Sequence, residues 1–162
     1  MRLRFLGTRG EIEARTRRHR RHSVLLVGYG RREVMIDCGL DWRKGLARLR
    51  PSAIILTHAH PDHAAGLRDG APCPVYATEE TWSAIAHSII RRRDGRAIGH
   101  ASIQAQLEWC AGAKVRRAVF THCDSEIVKG DARASAAKVR ALGRERGIEA
   151  WISHDGLELA LR

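Results

Sequence analysis

The sequence predicts a mixed α/β protein that folds as one domain. Apolar stretches of strand length alternate along the chain with stretches of helical periodicity. The length, 162 residues, suits one domain and is large enough to enclose a sizeable core. Internal repeats, linkers and low-complexity segments are not recognisable in the sequence. A single domain over residues 1–162 is therefore expected.

The first half is predicted to contain five strands and three helices. Alternation in "RLRFLG" indicates the opening strand, and the turn "GYGRR" between two apolar runs indicates a hairpin. The run "AIILT" is short enough for a buried strand, and the Pro that follows the histidines suits a first helical turn. The predicted strands cover residues 2–7, 23–27, 33–38, 53–57 and 74–78, and the predicted helices cover 41–49, 61–67 and 79–90.

The second half is predicted to contain two helices and three strands. Ile103, Leu107 and Cys110 share one helical face, and Gly147 is a stop signal for the long helix before it. The tripeptide "HDG" suits a tight turn between the last two strands. The predicted helices cover residues 102–111 and 131–147, and the strands cover 114–121, 148–153 and 157–161.

Composition limits the setting in which the protein works. No apolar run approaches the roughly 20 residues that a membrane span needs, and the N-terminus lacks the apolar region of a signal peptide. The four cysteines form no CxxC pair and are expected to be free thiols. We expect a cytoplasmic protein without membrane contact.

The chain is strongly basic, with a net charge of +11 and its densest positive segment in "ARTRRHRRH". Such a surface attracts phosphates and polyanions. General preference for Arg over Lys explains the same charge, so charge by itself leaves nucleic-acid binding open.

The segment "IILTHAHPDHAAGL" places His58, His60, Asp62 and His63 directly after an apolar run. Two histidines that are two residues apart on extended backbone point the same way and can bind one ion. The aspartate and the third histidine follow at the start of a helix and can serve a second ion. Imidazole and carboxylate ligands suit Zn²⁺, Fe or Mn²⁺. We expect two divalent ions per site, with zinc favoured.

"THAHPDH" resembles the HxHxDH motif of the metallo-β-lactamase superfamily, and the segments "LGTRG" and "MIDCG" before it are similar too. The resemblance implies a metallo-β-lactamase-like αβ/βα sandwich. "AVFTHCDSEIVKGD" resembles the last ligand motif of the phosphodiesterase branch, to which ribonuclease Z and phosphoribosyl cyclic-phosphate phosphodiesterases belong. That match implies His122 as a metal ligand. "AIGHAS" resembles the segment with the histidine that assists the leaving group, which implies His100 for that role.

The family's middle segment, which normally carries another metal-binding histidine and a bridging aspartate, has no counterpart here, so the sandwich is shortened. Asp124 is a candidate replacement ligand, and Asp37 is expected to orient a ligand histidine. The remaining candidates are weaker. A solvated helix face is favoured for the two near residues 87–94, a turn is the alternative for the one at 154, and surface positions or phosphate contacts are favoured for the two in the basic segment. The five are His87, Asp94, His154, His19 and His22.

The function that the resemblance implies is metal-dependent phosphodiester hydrolysis, with Asp62 and His100 as the catalytic residues. The substrate is expected to be a phosphate ester such as a nucleotide or a cyclic phosphate. Residues 17–21 and 91–93 supply arginines that can neutralise it. Two alternatives remain: hydrolysis of a lactone, thioester or β-lactam, and an inactive relative that binds metal or nucleic acid.

Loss of the middle strands predicts an uncovered sheet edge and an apolar face. Monomers rarely leave such a surface in water. We therefore expect a homodimer with residues 81–100 at the interface. A partner chain could then lend His87 or Asp94 to the incomplete metal site.

Overall fold

The computed structural model describes residues 1–87 and 102–161, with residues 86 and 87 described as helix backbone only. In this described part of the chain, eight strands form two sheets. The large sheet has the order β5-β4-β3-β2-β1-β8, and β6 and β7 form a small parallel sheet. The strands are β1 Arg2–Gly7, β2 Val24–Tyr29, β3 Arg32–Ile36, β4 Ala53–Ile55, β5 Val75–Tyr76, β6 Arg117–Phe120, β7 Glu149–Ile152 and β8 Leu157–Ala160.

Helices connect and cover these strands. Their first turns have the expected caps: Ser102 accepts a hydrogen bond from the backbone N–H of Ala105, and Asp131 accepts two from the first turn of its helix. The helices are α1 Leu46–Leu49, α2 Pro61–Ala64, α3 Glu79–His87, α4 Ile103–Gly112, α5 Ser125–Lys129 and α6 Ala132–Arg144, with 3₁₀ turns at Leu40–Trp42 and Ala65–Leu67.

One face of the large sheet carries the main core. Leu26 of β2, Met35 of β3 and Ile54 of β4 lie side by side in register, and each is at most 1% exposed. Trp42 and Leu46 pack against them from the segment that follows β3. Because side chains alternate along a strand, this burial fixes the register of all three strands.

A second core lies between the small sheet and the helices α4 and α6. Leu107 and Val139 come from the two helices, and Phe120 and Ala150 come from β6 and β7. Strand β6 ends at Phe120, two residues before His122. The second core therefore sets the position of His122, a predicted metal ligand outside the contiguous motif.

Three sequence predictions about elements need correction. The helix expected over 41–49 is a 3₁₀ turn followed by the short α1, because Gly45 interrupts it. Helix α5 was not anticipated. The last two strands do not form a hairpin: β7 pairs with β6, whereas β8 pairs with β1. The "HDG" turn instead crosses between the sheets, where Asp155 N–H donates to Arg18 O.

Candidate metal centre

The motif segment turns sharply at the end of β4. His60 has extended backbone angles, φ −64° and ψ 152°, and helix α2 begins at the next residue, Pro61. The backbone N–H groups of His63 and Ala64 both donate to His60 O, at 2.9 and 2.8 Å. This turn places Asp62 in the first helical turn, two residues after His60.

Four histidine rings gather around that turn. The ring centroids of His58 and His60 are 4.5 Å apart, and those of His58 and His63 are 4.0 Å apart. His122 stacks on His63 with a centroid distance of 4.8 Å. The structure therefore brings His122 from the far end of β6 to the motif, as the sequence resemblance implied.

Asp62 lies at the centre of the cluster and is 1% exposed. Its Oδ2 is 2.8 Å from His122 Nε2 and 3.3 Å from His63 Nε2, the latter in poor hydrogen-bond geometry. Its Oδ1 is buried and has no hydrogen-bond partner among the residues that the structure describes. A buried carboxylate oxygen without a partner is costly, and a bound cation removes that cost.

Asp37 fixes the orientation of His63. It follows β3 with φ 63°, a left-handed conformation, and accepts hydrogen bonds from the backbone and hydroxyl of Thr57 at 2.8 and 2.9 Å. Its Oδ2 is 2.8 Å from His63 Nδ1. With a proton on Nδ1 for this contact, Nε2 is the nitrogen that faces the cluster, and it becomes the metal-binding atom when a metal ion displaces its own proton.

His122 is held against an N-terminal loop. It has φ 62°, and the next residue, Cys123, donates its N–H to Thr8 O at 2.7 Å and accepts from Gly10 N–H at 3.0 Å. A Cβ atom at Gly10 would lie 2.8 Å from His122 Cε1. Any larger residue at this position would displace the imidazole ring.

The charges of the cluster are strongly coupled. Burial favours the neutral carboxyl, but hydrogen bonding to His122 and proximity to His63 hold the pKa of Asp62 far below its usual range. Burial likewise favours neutral His63, but the carboxylates of Asp37 and Asp62 raise its pKa to about 9. Burial and the neighbouring His63 and His60 lower the pKa of His58 to about 4. Imidazole at His58 is thus neutral at pH 7 and available as a ligand.

Among the residues that the structure describes, two groups of side chains are spaced to hold a cation. Ligand atoms of Asp62, His63 and His122 lie within 4.8 Å of one another, and so do those of Glu11, His60 and Asp62. The donors suit zinc, and the unpartnered Asp62 Oδ1 supports a cation position here. The residues present therefore fit a divalent metal centre.

Glu11 was not singled out from the sequence, because nothing in "LGTRGE" marks that residue as a ligand.

Asp124, predicted as a replacement ligand, is exposed and caps α5: its Oδ1 accepts from Ile127 N–H at 3.1 Å. It belongs to neither cation group found in the described part of the chain. His154 lies in the turn, with Nδ1 3.1 Å from Asp155 O.

The basic segment is packed more deeply than the sequence suggested. His19 and His22 were expected at the surface, but they are 4% and 8% exposed. His19 Nδ1 lies 2.9 Å from Thr8 Oγ1. His22 accepts Trp42 Nε1–H at its carbonyl at 3.0 Å. The sequence did not indicate that these two histidines are buried, because a segment so rich in arginine is expected to be solvated.

Several predicted residues lie outside the part of the chain that the structure describes. They are His100, Arg91, Arg92, Arg93 and Asp94, together with the side chain of His87. Their roles stay predictions. Among the described helices, none has the length and apolar character that crossing a membrane requires.

Comparison with known proteins agrees with the geometry. Residues 17–72 match the family model of the metallo-beta-lactamase superfamily. The chain is 35% identical over 78 residues to exodeoxyribonuclease YycJ of Bacillus anthracis, which covers 41% of this chain and 30% of the relative. It is also 37% identical over 70 residues to ribonuclease Z of Methanopyrus kandleri. That match covers 40% of this chain and 24% of the relative. The chain thus spans less than a third of either relative.

A crystal structure of a diphosphatase from the PhnP family superposes with a TM-score of 0.68. The match covers 99% of this chain and 98% of that chain at 17% sequence identity. It shows that the chain has the metallo-β-lactamase fold, and it confirms the predicted mixed α/β class. The resemblance to that superfamily, and to its phosphodiesterase relatives, is likewise confirmed.

Proposed function

We propose that this chain is a metal-dependent hydrolase that cleaves phosphate diesters. The observation that carries the proposal is the buried Asp62, whose Oδ2 contacts His122 while its Oδ1 has no partner in the described residues. Asp62, His63 and His122 would hold one divalent ion, zinc by preference and Mn or Fe as alternatives, and His58 and His60 would serve a second. A bound ion supplies Lewis acidity and activates water for hydrolysis.

The protein's own groups prepare this chemistry. Asp37 holds His63 in one tautomer, and the low pKa of His58 keeps that ring unprotonated. The net charge of +11 favours a phosphate substrate, such as a nucleotide or a cyclic phosphate, over a neutral ester. Nuclease relatives support the same substrate class. The four free cysteines suit a reducing compartment, and we propose the cytoplasm.

The test combines metal content with hydrolysis of bis(p-nitrophenyl) phosphate. We expect His58→Ala and His122→Ala each to remove most of the bound metal and most of the activity, since each removes a primary ligand. His154→Ala is the matched control, because that histidine lies in a turn and contacts a backbone carbonyl. Full metal content in His122→Ala would refute this placement of the centre. Absence of metal from the wild-type protein would favour an inactive relative.

His100 is proposed as the acid that protonates the leaving oxygen. His100→Ala should keep its metal and lose about 10²–10⁴-fold in rate on substrates with poor leaving groups. The loss should shrink for p-nitrophenolate, which departs without a proton. Equal losses on both kinds of substrate would show that His100 has no acid role.

A further inference from the structure

The second cation group contains a residue from outside the motif. Glu11 lies in the loop after β1, and its carboxylate is within 4.8 Å of ligand atoms of His60 and Asp62. We infer that Glu11 is a metal ligand, and that it completes a second cation position with His60 and Asp62. The inference rests on the proposed metal centre and adds a ligand that the motif does not supply.

The loop that carries Glu11 is fixed on both sides. Gly10 N–H donates to Cys123 O at 3.0 Å, and Ile12 N–H donates to Gly10 O at 2.9 Å. The guanidinium of Arg9, which is 2% exposed, donates to the carbonyls of Gly10 and Ile12. It is held in turn by Asp41 at 2.6 Å. Little conformational entropy is left in this backbone for metal binding to remove.

A separate observation at Asp62 also points to a bound cation. Both cation groups include Asp62, and its two oxygens are in different situations. Oδ2 already contacts His63 and His122, whereas the buried Oδ1 has no partner among the described residues. A carboxylate can contact a cation through each oxygen. Asp62 is therefore placed to serve both positions, one with His63 and His122 and the other with Glu11 and His60.

The charge balance favours the same assignment. Ligand sets of neutral imidazoles leave the full charge of a divalent ion uncompensated, and carboxylates commonly complete such sites. The motif segment, residues 54–67, contains His58 and His60, and Asp62 is its only carboxylate. Glu11 is exposed, so an ion can reach its carboxylate without rearrangement of the core.

The experiment compares Glu11→Gln with Glu13→Gln. Both change an exposed glutamate in the same loop to its neutral isostere, but Glu13 belongs to neither cation group. Metal-free protein is titrated with Zn²⁺ by calorimetry against a competing chelator, and Co²⁺ absorption spectra report the ligand field. Thermal melts of the metal-free variants check that the fold is intact.

We expect the wild-type protein and Glu13→Gln to bind two ions. Glu11→Gln should keep one with unchanged affinity and bind the other at least tenfold more weakly, with an altered Co²⁺ spectrum. Identical stoichiometry, affinities and spectra in Glu11→Gln and Glu13→Gln would overturn the assignment of Glu11 and leave the proposed function standing. A wild-type protein that binds no ion would overturn both.

Discussion

His63 lies between two buried carboxylates, and this position decides how the stability of metal-free protein depends on pH. Its Nδ1 is 2.8 Å from Asp37 Oδ2, and its Nε2 is 3.3 Å from Asp62 Oδ2. Without metal, a proton on the ring neutralises part of this negative charge, which is why the pKa rises to about 9. A metal ion at Nε2 takes over the role of that proton.

The metal-free protein should therefore lose stability as the pH rises from 6.5 to 9. Below pH 6.5 His63 is protonated in both the folded and the unfolded chain. Between the unfolded pKa of 6.5 and the folded pKa of about 9, the folded state binds more protons, so the free energy of unfolding falls. One group contributes at most about 1.4 kcal/mol per pH unit. Urea titrations in the presence of a chelator, at several pH values across this window, measure the slope.

Asp37→Asn tests the cause of that slope. The substitution keeps the size and the tolerance for a left-handed backbone at this position, but it removes the charge that holds the proton. We expect a shallower slope in this variant. Asp69→Asn is the control, because Asp69 pairs with Arg43 on the surface. A wild-type slope that is flat or rising across the window would contradict the pairing of His63 with both carboxylates.

Individual candidate ligands were predictable from the sequence only where they are contiguous or belong to a motif. His58, His60, Asp62 and His63 follow one another within a few residues, so their proximity does not depend on the fold. Glu11 reaches the cluster only because Arg9 and Cys123 fix its loop. That arrangement depends on packing between distant segments, which a single sequence does not reveal.

At the scale of elements, α6 packs very closely on β7. Val139 and Ala150 meet in the second core, and Gly143 lies where the helix crosses the strand. A Cβ atom at Gly143 would lie 2.5 Å from Ile148 O and 2.7 Å from Ala150 Cβ. The absence of a side chain at Gly143 is what allows the helix to approach the strand.

Gly143→Ala should therefore destabilise the protein by about 1–3 kcal/mol, the usual cost of overpacking a core. Alanine's better helix propensity, worth about 1 kcal/mol, offsets only part of this. Gly112→Ala is the matched control. Gly112 also lies in a helix, but a Cβ atom there would meet nothing within 4 Å. We expect the control to be neutral or stabilising in thermal melts. Equal stability of the two variants would contradict the close approach.

The presence of most elements could be predicted, but not how the last ones pair. Apolar alternation and the turn between them located β1 and the hairpin of β2 and β3, and helical periodicity located the long helix α6. The partners of β7 and β8 could not be inferred, because the "HDG" turn suits a hairpin within one sheet as well as a crossover between two sheets. What separates them is the contact of Asp155 N–H with Arg18 O and of Gly156 N–H with Phe5 O. These bonds join segments more than a hundred residues apart.

At the scale of the whole molecule, the two cores leave an apolar surface on the large sheet. Ile55 and Tyr76 pair in register on β4 and β5, on the face opposite the main core, and are 43% and 59% exposed. Strand β5 is also the edge of the sheet. An edge strand beside exposed apolar side chains favours association with another chain.

We predict a homodimer with residues 81–100 at its interface. Trp82 on α3 is 43% exposed, and a fully buried indole in an interface contributes strongly to binding. Trp82→Glu should dissociate the dimer, because the interface would then bury an unpaired charge.

Trp109→Glu is the matched control: this tryptophan on α4 is 66% exposed and lies outside the predicted interface. Light scattering at low micromolar concentration should give about twice the 18.1 kDa chain mass for the wild-type protein and the control, and one chain mass for Trp82→Glu. A wild-type mass near 18.1 kDa would refute the dimer. An unchanged dimer in Trp82→Glu would move the interface away from α3.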